Sequence, residues 1–107
     1  MSTTYDLIRA AIEYKLQVRA YYHGRPRQMC PHILGYSGGR AQALFYQFAG
    51  ESERGLGEAG SADNWRCIAI DGLTDVVAVA GPWYTASPPP VGRTQHCVDE
   101  VEAAVQL

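Results

Sequence analysis

From Leu16 onward, apolar and polar residues alternate in short stretches separated by glycine turns, and this pattern constrains the fold more than any other feature. Leu16 to Tyr22 alternates with period two, which is typical of a half-buried β-strand. Four further strands are predicted, at Arg25 to Tyr36, Ala41 to Phe48, Trp65 to Ile70 and Leu73 to Ala80. We expect the first three strands to form a sequential antiparallel meander, with Trp65 to Ala80 completing the sheet.

The predicted strands are joined by recognisable turns. His23-Gly24 and Ser37-Gly38-Gly39 separate the first three strands, and Asp71-Gly72 is the strongest short hairpin signal in the chain. Pro26 and Pro31 lie inside the second strand and have no backbone N–H to donate. They therefore predict an edge strand, a bulge or a sharp bend at this point.

Helices are predicted at both ends of the sheet. Thr4 to Lys15 carries apolar residues at helical spacing. Gly81 to Arg93 is rich in proline and predicts an irregular connector, and residues 94–107 carry an apolar stripe from Cys97 to Val105 that predicts a last helix. The expected fold is a single mainly β, α+β domain over residues 1–107, a five-stranded antiparallel barrel of the Sm or SH3 type between two helices. A small α+β sandwich is the alternative.

The sequence gives an expectation for the cellular location of this domain. The longest aliphatic run, Val76 to Ala80, is too short to cross a membrane, and the N-terminus lacks a secretory signal pattern. We therefore expect a cytoplasmic protein with no membrane contact. The glycine-rich loop Ala49 to Asp63 is long enough to be either functional or mobile.

Charge is distributed unevenly along the chain. Residues 1–40 carry six cations and two carboxylates, whereas residues 41–107 carry three cations and nine carboxylates. Eight of the nine cations are arginine, whose planar fork suits phosphate and carboxylate. An anion site in the first half is therefore conceivable, but a net charge of −2 predicts no strong nonspecific binding to duplex DNA.

The cysteine and histidine residues give little support for a catalytic site. The three cysteines, Cys30, Cys67 and Cys97, are odd in number and form no CxxC pair, so we expect reduced, buried thiols. Cys30 and His32 are two residues apart and could act as nucleophile and base, but Pro31 interrupts the strand between them. A buried cysteine and a turn histidine is the better interpretation.

A metal site would have to combine His23, His32, His96 and Cys97. His96 and Cys97 are adjacent and would point in different directions on a helix, so they could not readily share one ion. We predict no metal, no cofactor and no enzymatic activity.

From Arg27 to Gly35 the chain resembles the WYL domain, whose second strand carries Arg-x-x-x-Pro-x-x-Leu. Arg27, Pro31 and Leu34 match that segment, and Gly39-Arg40 match the turn that follows it. Phe45-Tyr46-Gln47 stand where the family has Trp-Tyr-Leu. The resemblance covers roughly Tyr5 to Val79.

The closing segment of the family resembles the stretch from Arg66 to Leu73, although two family arginines are replaced by Ala69 and Gly72. A divergent subgroup is similar in its Pro-His-x-Leu-Gly segment, its Tyr-Gln strand, its loop serine and its Trp-Arg pair, here Pro31 to Gly35, Tyr46-Gln47, Ser52 and Trp65-Arg66. The resemblance implies a Sm-like barrel that acts as a sensing module in bacterial regulators.

The resemblance also implies a basic site for nucleic acid or a small anionic ligand. Tyr46 and Trp65 would supply stacking surface beside guanidinium groups, and the expected binding residues are Arg27, Arg40, Tyr46, Trp65 and Arg66. The leading hypothesis is a non-enzymatic regulatory module that binds a small anion, a nucleotide or single-stranded nucleic acid. An exposed Arg66 would contribute little to stability. The alternative is a protein-interaction or self-association domain that uses an exposed barrel edge or the last helix.

Overall fold

The computed structural model describes residues 3–52, 55–57, 61–86 and 97–106. A helix, α1 (Thr3–Tyr14), comes first and matches its predicted position. Six strands follow: β1 (Gln17–Tyr22), β2 (Arg25–Ser37), β3 (Arg40–Gly50), β4 (Trp65–Ala69), β5 (Leu73–Val79) and β6 (Glu100–Ala104). No helix in the described part of the chain has the length and apolar character needed to cross a membrane.

All strand pairs are antiparallel, and the spatial order is β4-β3-β2-β1-β5, with β6 also paired to β2. The predicted meander of the first three strands is confirmed, and β4 and β5 complete the sheet. β4 and β5 lie at opposite ends of this order and do not pair with each other in the described residues, so the sheet does not close into the expected barrel.

Two of the three predicted turns are confirmed. His23 and Gly24 both have positive φ, as do Gly38 and Gly39, which is the requirement of the two-residue hairpin turn that matches strand twist. The hairpin predicted at Asp71-Gly72 is wrong. Ile70–Gly72 forms a single 3-10 turn that leads the chain from β4 to β5, and these two strands pair with β3 and β1 instead of with each other.

The strand β2 lies inside the sheet, so the edge-strand alternative predicted from its prolines is wrong, but the predicted irregularity is found at Pro31. Its register with β3 shifts between Gln28 and Met29 and again between Pro31 and Ile33. On its other side, β2 pairs with β1 as far as Met29 and with β6 from Ile33 onward. Pro31, which lacks an N–H, therefore lies in the gap between the two partners.

The helix predicted over residues 94–107 is wrong where the structure describes this segment. Residues 100–104 form β6, which adds to the second half of β2; residues 94–96 and 107 lie outside the described residues. Gly35 allows the close approach, because a Cβ at this position would collide with the carbonyl oxygen of Glu100. Pairing with β2 therefore overrides a helical apolar spacing built partly from valine, which favours strands.

The sheet has two unlike faces. The inner face packs against α1 and holds the main core, formed by Ile8, Ala11, Ile12, Val18, Ala20, Met29, Leu34, Ala43, Phe45 and Ile68 among others. The outer face, on the other side, carries a smaller cluster formed by Ile33, Leu44, Cys97 and Val98, with Trp65 beside it. Alternate residues of each strand point to these two faces.

The prediction of three reduced thiols is wrong for two of them. Cys67 in β4 and Cys97, just before β6, form a disulfide, whereas Cys30 is free and buried. Counting cysteines could not identify this pair, because the bond depends on how the chain after the connector returns to the outer face of β3 and β4.

This disulfide is expected to stabilise the fold. It closes a loop across a sequence separation of 30, which corresponds to about 3–4 kcal/mol of chain-entropy stabilisation. Replacing both cysteines by serine should lower the free energy of unfolding by that amount in urea titrations. Reductant should weaken the native protein equally and leave the double variant unchanged. A native unfolding midpoint that is insensitive to reductant would contradict the disulfide.

Candidate functional site

Two of the three arginines predicted to bind an anion are buried on the inner face. Arg27 in β2 is 4% exposed and Arg66 in β4 is 6% exposed. Arg27 lies opposite Ala20 of β1, and Arg66 lies opposite Phe45 of β3, and both of these partners belong to the main core. The expectation that Arg66 is exposed is therefore wrong, and Arg27 is buried as well.

Arg66 organises the loop between β3 and β4. Its Nη1 donates to the carbonyl oxygens of Asp63 and Trp65, and its Nη2 donates to the Gly55 carbonyl at 2.7 Å and to Ser52 Oγ at 3.1 Å. These contacts use the four N–H groups of the two Nη atoms. Arg66 thus fixes the described parts of this loop against the end of the sheet.

Arg27 acts on the same loop through a buried glutamine. Its Nη1 donates to Gln47 Oε1 at 3.5 Å, and its guanidinium lies 5.1 Å from the ring centre of Tyr22. Gln47 is fully buried, and its Nε2 donates to the carbonyls of Ala49 and Glu51. The sequence analysis did not assign this role to Gln47. The feature that could have indicated it is a polar residue among the apolar and aromatic residues of the second half of β3.

The other three predicted residues lie elsewhere. Tyr46 and Trp65 are directly opposite each other on the outer face, with ring centroids 5.0 Å apart. Neighbouring residues of a strand point to opposite faces, so Arg66 points away from Trp65. Arg40 is exposed at the far end of β3 from Gly50, the residue that pairs with Arg27. The five residues do not form one surface.

Tyr46 is itself buried and occupied. Its hydroxyl donates to the Ser61 carbonyl at 2.9 Å and lies 3.5 Å from Asn64 Nδ2. Asn64 also accepts a hydrogen bond from the Gly57 N–H at its Oδ1. The tyrosine that matches the family motif therefore anchors the same loop as Arg66, from the outer face.

Cys30 and His32 do not form a nucleophile and base pair. His32 Nδ1 lies 2.8 Å from the carbonyl oxygen of Cys30, so this nitrogen donates and Nε2 accepts from the Thr85 hydroxyl at 3.0 Å. The Cys30 thiol accepts from the Tyr84 N–H, and burial raises its pKa to about 11. A thiol this hard to ionise is a poor nucleophile.

His32 is a buried, neutral imidazole between two indoles. Its ring centroid lies 4.8 Å from that of Trp65 and 5.1 Å from that of Trp83. Burial lowers its pKa to about 4. The ring therefore stays uncharged at neutral pH and packs as part of an aromatic cluster.

Residues 81–86, the covering segment, lie across part of the outer face. Gln17 Nε2 donates to the Pro82 carbonyl at 2.6 Å, Thr85 meets His32, and the Tyr84 ring stacks on Phe48 at 4.5 Å. The segment therefore contacts β1, β2 and β3. Within the described residues, Arg19 and Tyr21, near the β1–β2 hairpin, stay exposed.

This side of the outer face carries exposed apolar and aromatic side chains beside one cation, together with the half-buried Phe48 on which Tyr84 of the covering segment stacks. Tyr21 is 45% exposed, Val77 is 52% exposed and Tyr84 is 39% exposed. Large exposed apolar groups that cluster are a mark of an interaction surface. We call this surface the outer patch and define it by Arg19, Tyr21, Phe48, Val77 and Tyr84.

The strand register makes the outer patch continuous. Arg19 is directly opposite Gln28 on one side and Val77 on the other, and Tyr21 is opposite Pro26. Phe48 lies at the register shift beside Gln28. From Phe48 to Val77 the patch crosses three strand spacings, roughly 14 Å. Sequence analysis did not select these residues, although the alternation of β1 already placed Arg19 and Tyr21 on its polar side.

Comparison with protein-family models, with curated proteins and with solved structures finds no match for this chain.

The hydrogen bonds of Arg66 predict a structural role. Arg66→Ala should lower the free energy of unfolding by about 2–4 kcal/mol, because three carbonyls and a hydroxyl lose a charged donor. Arg40→Ala, at an exposed arginine, should stay within about 0.5 kcal/mol of the native chain. Urea unfolding of both variants measures this. Equal stability of the two variants would contradict the structural role of Arg66.

The surroundings of His32 predict an acid-sensitive fold. Its pKa rises from about 4 in the folded chain to the ordinary 6.5 when unfolded, so the unfolded state binds the extra proton. The free energy of unfolding should therefore fall by about 3 kcal/mol as the pH drops from 6.5 to 4.

A non-titrating variant isolates this contribution. His32→Gln should lose the part of the pH dependence that His32 supplies, whereas His23→Gln, at an exposed histidine, should keep it. Chemical unfolding at a series of pH values distinguishes them. The same slope in both variants would mean that other groups cause the acid sensitivity.

Proposed function

We propose that this protein is a non-enzymatic regulatory or sensing module that binds a nucleotide or single-stranded nucleic acid on its outer patch. The observation that carries the proposal is the juxtaposition of exposed aromatic rings with Arg19 on one open sheet face. A base can stack on a tyrosine ring while a phosphate contacts the guanidinium.

The chemistry of the patch favours such a ligand over a purely ionic one. Arg19 is the single cation of the outer patch, so a ligand held by charge alone would bind weakly. The ring of Tyr84 stacks on Phe48, which fixes its position. Tyr84 is still 39% exposed and can contact a ligand. Tyr21 supplies a second ring in the neighbouring strand. A ligand with both rings and phosphate uses all of these groups.

The proposed regulatory role rests on the resemblance to the WYL domain, and membership of that family is itself a proposal. It is supported by the motifs of β2 to β4 and by an antiparallel sheet that follows one helix. In this proposal the binding surface differs from the site that the resemblance implies, because Arg66 is bonded to the loop and Arg27 is buried against Gln47 and Tyr22. A cytoplasmic location also stays a prediction, and the Cys67–Cys97 disulfide counts against it, since disulfides are rare in the cytosol.

Substitution of patch residues tests the proposal. Binding of ATP and of a short oligothymidylate is measured by the change in intrinsic fluorescence. Tyr21→Ala should weaken binding roughly tenfold, because stacking of one base contributes about 1–3 kcal/mol. Arg19→Ala should weaken it by a similar factor, because it removes the contact to the phosphate. Both side chains are exposed, so the variants should keep the native stability.

Arg40→Ala is the matched control, since it removes an exposed arginine at the opposite end of the sheet. It should bind both probes as the native protein does. Failure of the native protein to bind either probe, or an equal loss in Arg40→Ala and Arg19→Ala, would overturn the proposal.

A further inference from the structure

The disulfide joins one exposed cysteine to one buried cysteine. Cys67 lies in β4, at one end of the strand order, and is exposed. Cys97 is 7% exposed, and its Sγ lies 3.4 Å from the carbonyl oxygen of Ala43. Thiol–disulfide exchange requires that a thiolate reach one sulfur of the bond. Of the two cysteines, Cys67 is therefore the one open to attack in the folded chain.

The disulfide holds residues 97–105, which we call the strap, against the sheet. Within the described residues it is the one cross-link between the strap and the rest of the chain. Cys97 and Val98 belong to the smaller cluster of the outer face. At the other end of the strap, Val105 reaches the main core, and its N–H donates to the carbonyl of His32 at 2.8 Å. The strap thus covers both the smaller cluster and one edge of β2.

The contacts between these two ends of the strap are weak. Four of the five residues of β6 are exposed, so this strand buries little apolar surface when it pairs with β2. The Asp99 N–H donates to the Tyr36 carbonyl, and Tyr5 donates to a carboxylate oxygen of Glu102. Hydrogen bonds at an exposed edge replace bonds to water, and one pair of strands alone is only marginally stable. The position of the strap therefore depends on its cross-link.

We propose that the Cys67–Cys97 disulfide is a reversible redox site that controls whether the strap is docked, with a dithiol as the reductant. One thiolate of the dithiol attacks Sγ of Cys67, the S–S bond breaks, and its electron pair leaves on Sγ of Cys97. The second thiolate of the dithiol then displaces Cys67 from the mixed disulfide. The dithiol is oxidised to a disulfide, and the two protons that it loses convert both cysteines to thiols.

Reduction leaves the strap joined to the sheet through the backbone alone. Its local concentration at the edge of β2 then falls, and a weakly attached strand opens before the core does. Opening exposes Ile33 and Leu44 of the smaller cluster together with the edge of β2 from Ile33 to Tyr36. The redox state thereby selects between a covered and an open end of the outer face.

Amide hydrogen exchange of the full chain, measured by NMR before and after treatment with dithiothreitol, tests this control. Protection of the Asp99 and Val105 amides should fall at least about tenfold more than protection of the amides of β1 and β3, because the strap opens by itself. An equal loss of protection in both sets would mean that reduction loosens the whole fold. Unchanged protection of the strap would mean that its contacts hold it without the disulfide. Either result would overturn the proposal.

The third cysteine provides a matched control. Cys30→Ser keeps the disulfide and an acceptor for the Tyr84 N–H, so it should respond to dithiothreitol as the native chain does. The double variant Cys67→Ser, Cys97→Ser should show an open strap with or without reductant. A response to reductant in this variant equal to that of the native chain would contradict the redox site. If the variant does not fold, the native chain in its two redox states still supplies the comparison.

The site of attack is tested separately. Brief exposure of the native chain to glutathione, quenched in acid, should place the mixed disulfide on Cys67, because this cysteine is exposed. Peptide mass spectrometry locates the glutathione. A mixed disulfide found on Cys97 alone would contradict the proposed exchange.

Discussion

The change of partner along one edge of β2 is the feature on which the rest of the structure depends. β1 pairs with the strand as far as Met29 and β6 from Ile33, and Pro31 lies between them without an N–H to satisfy. In the same gap, His32 donates to the Cys30 carbonyl and turns its ring into the aromatic cluster of the outer face. β2 thereby pairs with both β1 and β6 and contacts the covering segment.

The buried arginines explain why the binding surface lies away from the site that the family resemblance implies. Arg66 donates hydrogen bonds directly to the loop after β3. Arg27 donates to Gln47, which in turn donates to the backbone at the start of this loop. Tyr46 holds the same loop from the other face. These groups stabilise the end of the sheet, whereas the side chains still exposed for recognition lie around Arg19 and Tyr21.

Local patterns predicted much of the fold because they are set by nearest neighbours. The alternation of β1 and the glycines of the first two turns predicted the meander, and the prolines of β2 predicted an edge strand, a bulge or a bend, of which the irregularity at Pro31 is found. The last strand could not be predicted in this way, because its edge partner is β2, far away in sequence, and its apolar spacing alone suggested a helix. The Asp71-Gly72 turn misled for the same reason, since local turn chemistry does not determine which strands pair. Nor does an arginine in a strand reveal whether a distant loop will bury it.

Chemical-shift mapping of the ¹⁵N-labelled protein with ATP is the most direct test of the claim that recognition occurs on the outer patch. The account predicts that the largest amide shifts occur at Arg19, Tyr21, Gln28 and Val77, with little change at Arg27, Gln47 and Arg66. Shifts centred on Arg27, Gln47 and Arg66 would contradict it, because they would show that the buried arginines leave the loop to bind the ligand.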